Sequence, residues 1–457
     1  MSTRQFTIID PGFLGEYGIG KWGKAYWSSA INHGVAQISA VCKRNEIDCS
    51  LIDFRKLRSY EHFEDSIKKH ESIWYGITCR TIDFPIVEKA IKIIKKVRPE
   101  SKIIVGGIHP SLSPDNFLKN DKVDYVFTGE AEITLPLVLK EPEKFPKLIQ
   151  GQVPDINKIP YEDISIYDYK KSISFSLYGG IVLPPTIPII TNRGCVYNCK
   201  FCQPSEKILY GEKYRQKTVS RVLDELNFLI ERFDFNSIMF YDDCLLAHKK
   251  FLYELLTKLS KIKKLEIMLQ GRVNNICQLG DGIAELKKMG LSVVIVGFES
   301  GSKRILDFIG KGTTVEQNIR AAEILHKHSI KIVGNYMIGL PTETNEEIQE
   351  TVNLARRVKA TISSCSFYSP MPGSYIYEYC KENDLIIEKD YAKLSRDPKK
   401  AKIKGVDYDY VTQALSEIVG GRFKSKLVRK LVGYAYKNLE RGRTREILTR
   451  IYNKVKK

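Results

Sequence analysis

Short apolar runs alternate with amphipathic stretches along the first 140 residues. FTIID (6–10), CSLIDF (49–54), SIWYGITC (72–79), SKIIVGG (101–107) and VDYVFTG (123–129) are rich in β-branched and aromatic residues and read as strands. Val35, Ile38, Val41 and Cys42 recur at spacings of three and four, so a helix follows the first strand. Further helices are predicted over roughly 84–98 and near 132–140. Five apolar strands separated by helices predict a Rossmann-like, doubly wound parallel sheet over residues 1–140. Sheets of this kind take ligands in the loops past the carboxyl ends of their strands.

The pattern is lost over 141–185, where prolines, tyrosines and aspartates follow no period, and an irregular connector is expected. It resumes over 186–385. Strands are predicted at IPIITN (187–192), SIMFYDD (237–243), LEIMLQGR (265–272), SVVIVGFES (292–300), KIVGNYMIGL (331–340) and CSFYSPM (365–371). Helical patterns fall near 218–232, 249–261, 281–289, 315–328 and 344–359. Six strands, each followed by a helix and none with a hairpin signal, predict an α/β partial (β/α)6 TIM-like barrel. An open doubly wound sheet shares that periodicity. Residues 386–457 are expected to form a basic helical C-terminal region. There Leu427, Leu431, Tyr434 and Ala435, then Ile447, Leu448, Ile451 and Val455, keep helical spacing among lysines and arginines.

Composition narrows the class. No apolar run is long enough to span a bilayer, and MSTRQFTIID lacks the apolar stretch of a signal peptide, so a cytoplasmic protein is expected. The net charge is +18, and the last 59 residues hold +12 of it (seventeen Lys and Arg against five Asp and Glu). That face is either a solvated helix surface or a peripheral contact with anionic lipid or an acidic substrate. No RNA-binding module accompanies it, so nucleic acid is not an expected partner. Ten cysteines over 457 residues are too sparse for a disulfide framework, and seven stand singly.

The other three, Cys195, Cys199 and Cys202, crowd into TNRGCVYNCKFCQPS (191–205), in the loop after the first barrel strand. A structural zinc site needs four ligands, and no second pair lies nearby. Simple burial disagrees with a loop that carries Gly194, Tyr197, Asn198 and Lys200. The spacing suits an iron–sulfur cluster with three protein thiolates and one iron left open for an exogenous ligand.

CVYNCKFC resembles the CxxxCxxC signature of the radical S-adenosylmethionine (radical SAM) superfamily. The resemblance, which covers roughly 185–385, implies a [4Fe–4S] cluster whose fourth iron is chelated by the amino and carboxylate groups of SAM. It implies reductive cleavage of SAM to a 5′-deoxyadenosyl radical, with electrons from a flavodoxin- or ferredoxin-type donor. It also implies SAM contacts at the polar strand ends that follow. These are Phe201 before the last cysteine, Asp242 or Asp243 in YDDC for the methionyl amine, and Arg272 in LQGRVN for the carboxylate. Glu299 and Ser300 in GFESGS and Asn335 in GNYMIGLPTET complete the set.

An open α/β domain ahead of such a core resembles the cobalamin-binding radical SAM subfamily. The matching pieces are PGFLGEYGIGKWG (11–23), GGIHPS (106–111) and TGEAE (128–132). They imply cobalamin contacts from Thr78, Gly106, Gly107, His109, Ser111, Gly129 and Glu130. The Asp-x-His-x-x-Gly motif that offers histidine to cobalt is absent, since His33 in NHGV lacks that frame. His109 is expected as a polar contact, and a domain that no longer binds corrin is the alternative. Cys42, Cys49 and Cys79 raise a methylthiotransferase with a second cluster, but the Gly-Cys strand-end motif of those enzymes is missing after FTIID. The subfamily resemblance implies methylation of an unactivated carbon in a small molecule, lipid or natural-product intermediate. Cyclisation or rearrangement is the enzymatic alternative, and a plain electron carrier would need none of the SAM-facing strand ends.

Overall fold

In a computed structural model, residues 5–12, 31–70, 72–174, 181–202, 206–394 and 401–420 are described. Most of PGFLGEYGIGKWG and the amphipathic repeats beyond 420 therefore lie outside the described residues.

The first sheet contains β1 (Gln5–Asp10), β2 (Asp48–Asp53), β3 (Trp74–Thr78), β4 (Lys102–Gly106), β5 (Tyr125–Thr128) and β6 (Leu148–Gln150). All pairs are parallel, in the order β2-β1-β3-β4-β5-β6. The five strands read from sequence are present. The sixth, β6, lies inside the segment expected to be irregular, and at three residues it is too short to announce a period. Two apolar layers cover the two faces. Ile9, Ile77, Ile103 and Val105 face the helix Phe84–Val97, whereas Phe6, Ile8, Ile104 and Phe127 face the helix His33–Arg44. Asn32 caps that helix by accepting from the Val35 backbone N–H at 3.3 Å, so the chain turns sharply at the sheet's carboxyl edge.

The connector is tied to its surroundings by side chains rather than by repeated structure. Asp163 accepts from Ser39 Oγ at 2.6 Å and pairs with Lys43 at 2.7 Å, and Gln37 donates to the Pro160 carbonyl. On the other side Arg221 donates to the Ile159 carbonyl at 2.6 Å. The connector thus stitches the first domain to the second.

The second sheet begins with β7 (Thr186–Ile189). A small antiparallel ladder of β8 (Asn192–Arg193) and β9 (Arg215–Gln216) flanks the cysteine loop. Then come β10 (Ser237–Phe240), β11 (Glu266–Gly271), β12 (Leu291–Glu299), β13 (Lys331–Ile338) and β14 (Ile362–Phe367). The parallel order β14-β13-β12-β11-β10-β7 follows the sequence, as in a partial barrel. Alternation sorts the side chains. Met239, Met268, Val293, Ile295 and Val333 fill the concave side, while their neighbours Ile238, Leu269, Val294 and Ile332 pack under the helices. Among the helices that sequence periodicity missed are Tyr60–Lys69 in the first domain and the short Val273–Leu279, Lys303–Phe308 and Tyr375–Glu382 in the second, whereas Tyr408–Gly420 falls in the region expected to be helical. Among the described residues no helix is long and apolar enough to cross a membrane.

Candidate active site

The carboxyl edges of the two sheets face each other across one cavity of about 520 Å³. Its first-domain wall is made by the ends of β3, β4 and β5, with Phe6 and Ile8 from within β1. Its second-domain wall is made by Asn192, Arg193, Glu206, Tyr241, Asp242 and Asp243. The first sheet's strand order reverses between β1 and β3, and ligands settle at such switch points.

The cysteine loop leaves β7 beside this cavity. Cys195, Cys199 and Cys202 are all half-buried and unbridged. The loop is held rather than free. The Lys200 N–H donates to Ile309 O at 2.9 Å and its carbonyl accepts from Ile376 N at 3.2 Å. Tyr197 donates to Asn275 Oδ1 at 3.0 Å and accepts from Asn274 Nδ2 at 3.2 Å. Burial and then the negative charges of Asp243 and Glu206 push the Cys202 thiol up to about 12, and burial raises Cys195 as well. Such thiols give up their protons to a metal, not to water. Among the described residues no three side chains converge to grip a single ion. A cubane is held differently, since each thiolate takes its own iron corner. Three spaced thiols on a pinned loop fit that group.

The two aspartates of YDDC have parted roles. Asp242 is buried, and its Oδ1 accepts from the Thr191 N–H at 2.8 Å and hydroxyl at 3.0 Å, fixing the end of β7. Burial holds its carboxyl up at about 6. Asp243 is the exposed one, and it shares a hydrogen bond with Glu206. Burial, then the Asp243 charge, pushes Glu206 up to about 8, so the pair holds one proton near neutrality. Glu206 escaped sequence reading because nothing in QPSEK marks its fourth residue as facing a strand end 37 positions away.

The remaining SAM expectations divide. Phe201 packs beside the loop, with Lys311 Nζ 5.4 Å from its ring centroid. Glu299 sits at φ +59 and pairs with Lys311 at 2.8 Å. Asn335 is level with Gly297 on β12 and Ser364 on β14, in the same alternation as the concave-side Val333. Ser300 departs from expectation. It is fully buried, bonded to Thr351 Oγ1 at 3.1 Å and accepting from Ser302 N, so it fastens a turn to the helix Asn345–Val358. Arg272 also departs from the open carboxylate anchor, because its guanidinium is already taken up. Nη1 lies 2.7 Å from Cys199 Sγ, Nε donates to Asn274 Oδ1 at 3.3 Å, and Nη2 donates to the Lys311 carbonyl.

On the first domain, Thr78, Gly106, Gly107, Ser111, Gly129 and Glu130 all line the cavity. Gly107 has φ +101, and a Cβ there would stand 2.9 Å from Thr78 Oγ1, so only glycine keeps this edge low. Ser111 donates to Gly107 O at 2.8 Å and its Oγ accepts from Gly129 N at 3.0 Å, locking the two glycine turns together. Behind them Phe6, Ile8, Val35, Ile104 and Phe127 line an apolar slot between sheet and helix. A glycine floor that a flat macrocycle can approach, with an apolar slot beside it, fits a corrin and its tail.

The His109 expectation is corrected, and Glu130, though it lines the cavity, has its carboxylate engaged across the domain junction. His109 is fully buried and does not line the cavity. It sits among Phe84, Phe117 and Tyr391, with its Nε2 paired to Asn116 at 3.0 Å. Burial pulls its imidazole down to about 4, so it is a neutral core residue. Glu130 has its carboxylate occupied by Arg193 and Arg215 of the second domain, and Glu132 adds a second contact to Arg193 at 2.5 Å. It clamps the domains. The cavity instead receives His33, whose Nδ1 is 2.8 Å from Glu162 and whose ring lies 5.5 Å from that of Tyr241. Burial pulls this imidazole down, but the Glu162 carboxylate outweighs it and the net shift is upward.

Known proteins resemble the chain over both domains. Residues 189–355 match the Radical SAM superfamily and residues 28–139 match the B12 binding domain. An uncharacterized methyltransferase of Pyrococcus horikoshii is 26% identical over 84% of this chain and 85% of its own length. An anaerobic magnesium-protoporphyrin IX monomethyl ester cyclase of Rubrivivax gelatinosus is 26% identical over 66% of this chain but only 57% of its own. Among solved structures, the radical S-adenosylmethionine methyltransferase TsrM of Kitasatospora setae, with cobalamin and a [4Fe–4S] cluster bound, shares the fold. Its TM-score is 0.63 at 13% identity, covering 91% of this chain and 88% of that one. With both matches falling on the two sheets whose edges enclose the cavity, the chain carries a B12-binding domain ahead of a radical SAM core.

Proposed function

We propose that the chain is a cobalamin-dependent radical SAM methyltransferase acting on an unactivated carbon of a small molecule, lipid or natural-product intermediate. One observation carries this reading: the edge suited to the corrin and the strand end beside the cluster loop are two walls of one cavity. A substrate between them is within reach of both cofactors without leaving the protein. The Pyrococcus relative, named a methyltransferase, aligns over both domains and supports the same activity.

When bound, the cluster and SAM supply radical generation, and cobalamin supplies methyl-transfer chemistry. The chain's own part is to hold, orient and keep dry. Cys195, Cys199 and Cys202 hold the cluster. Phe201 would help to hold SAM, and the exposed Asp243, rather than the buried Asp242, would hold its amine. Glu299, ion-paired with Lys311, and Asn335 on the concave side serve the nucleoside. Thr78, Gly106, Gly107 and Gly129 form the corrin seat, with Ser111 fixing its shape. The reductant is of flavodoxin or ferredoxin type, and the basic C-terminal residues add a peripheral lipid contact in a cytoplasmic enzyme.

The test uses trideuteromethyl SAM with anaerobically reconstituted protein and a panel of candidate substrates. Label in a product, with S-adenosylhomocysteine and 5′-deoxyadenosine both formed and both product and S-adenosylhomocysteine dependent on cobalamin, supports the reading. A converted substrate without label contradicts methylation and favours rearrangement or ring closure, the latter being the chemistry named for the Rubrivivax relative.

A further inference from the structure

We propose that Arg272 acts on the cluster itself, as a hydrogen-bonding partner of the Cys199 ligand that raises the cluster's reduction potential, and not as an anchor for SAM. The inference rests on the cluster assignment to Cys195, Cys199 and Cys202 and is independent of the methylation reading.

The geometry leaves the guanidinium little else to do. Arg272 follows β11 directly and is nine-tenths buried. Each of its three nitrogens has a protein partner: Cys199 Sγ at 2.7 Å, Asn274 Oδ1 at 3.3 Å and the Lys311 carbonyl. Its flat face lies over the Tyr197 ring, with the guanidinium carbon 3.8 Å from the centroid. Tyr197 is in turn fixed by Asn274 and Asn275. The sequence RVNN (272–275) therefore grips the stretch between the first two cysteines at three points. An arginine awaiting a free carboxylate keeps its fork open for two parallel bonds. This one has spent a donor on a thiol.

A cation donating to a cluster thiolate favours the state with more negative charge. One-electron reduction adds a negative charge to the cluster, so the contact stabilises the reduced form. Hydrogen bonds to the sulfurs and local charge are known levers on cluster potential. Removing the guanidinium makes the cluster harder to reduce while leaving its three thiolates in place.

The experiment compares wild-type, Arg272→Gln and Arg272→Lys full-length protein after anaerobic reconstitution. Redox titration followed by electron paramagnetic resonance reads the midpoint potential, and calorimetry reads SAM affinity. The expected result is a midpoint shifted to more negative potential in Arg272→Gln, a smaller shift in the same direction in Arg272→Lys, and SAM affinity within about threefold of wild type. An unmoved midpoint with SAM affinity falling about tenfold or more overturns the proposal and restores the carboxylate-anchor role. Should Arg272→Gln lose iron, Arg272→Lys decides alone. A lysine cannot engage Cys199, Asn274 and Lys311 together, so an unchanged midpoint in that variant also overturns the proposal. A wild-type chain without a reduced-cluster signal would count against the cluster assignment itself, which separates the two failures.

Discussion

Replacing Glu130 with alanine removes the carboxylate that holds Arg193 and Arg215 across the domain junction. The Glu130 side chain is 5% exposed and each arginine 17%, so all three are largely desolvated. Breaking a buried ion pair from one side costs about 3–5 kcal/mol, because the partner charge stays behind. Two features reduce that here. Arg193 retains Glu132, and the residual exposure lets water screen the orphaned cations. Arg215 fares worse, keeping only the Pro154 carbonyl at 3.3 Å. The expected loss is about 2–3 kcal/mol, or roughly 5–10 °C in melting midpoint for domains of this size. Scanning fluorimetry reads the midpoint, and a double-mutant cycle with Arg215→Ala isolates the pair. Function should divide as well. Glu130 and Arg215 lie outside the cysteine loop, and Arg193 at its start keeps Glu132, so labelled-methyl transfer should fall further than 5′-deoxyadenosine formation. An unchanged melting midpoint, or equal loss of both products, would refute the clamp.

Ala in place of Cys195, Cys199 or Cys202 should each abolish 5′-deoxyadenosine formation and lower bound iron; an active variant would remove that residue from the cluster. Gly107→Val forces a β-branched residue into φ +101 beside Thr78, so cobalamin should wash out on desalting while SAM cleavage persists. A retained cobalamin spectrum in that variant would move the corrin seat elsewhere. His109 yields a pH prediction. Its folded value near 4 lies below the ordinary histidine value, so the unfolded chain takes up the proton first and stability falls as pH drops through about 6.5 towards 4. The penalty should reach about 2 kcal/mol by pH 5. His109→Phe should therefore gain on the wild type upon acidification, measured by denaturant melts; parallel pH profiles would show that His109 is not held neutral.

Hydrophobic alternation located eleven of the strands because each buries side chains on a fixed face, as Met239, Met268 and Val293 do on the concave side. It missed β6 and the β8–β9 ladder, where two or three residues cannot show a period. The cluster cysteines were legible because their spacing lies within one loop. Other roles depend on partners far away in sequence. Asp242 and Asp243 look equivalent until Thr191 claims the first and Glu206 the second. His109 sits in a promising glycine-rich loop, yet Phe84 and Tyr391 from distant segments enclose it. Glu130 reads as a ligand contact until two arginines from the second domain reach it. Side chains acting within one strand-loop unit were readable. Those whose role is set by the meeting of two domains were not.

The most direct test of the central claim is the metal content of one anaerobically reconstituted, desalted sample of the full chain. The shared cavity predicts about four irons together with about one cobalt per chain. Iron at that level with cobalt absent, under excess cobalamin, would contradict the account and leave the first domain's edge without its cofactor.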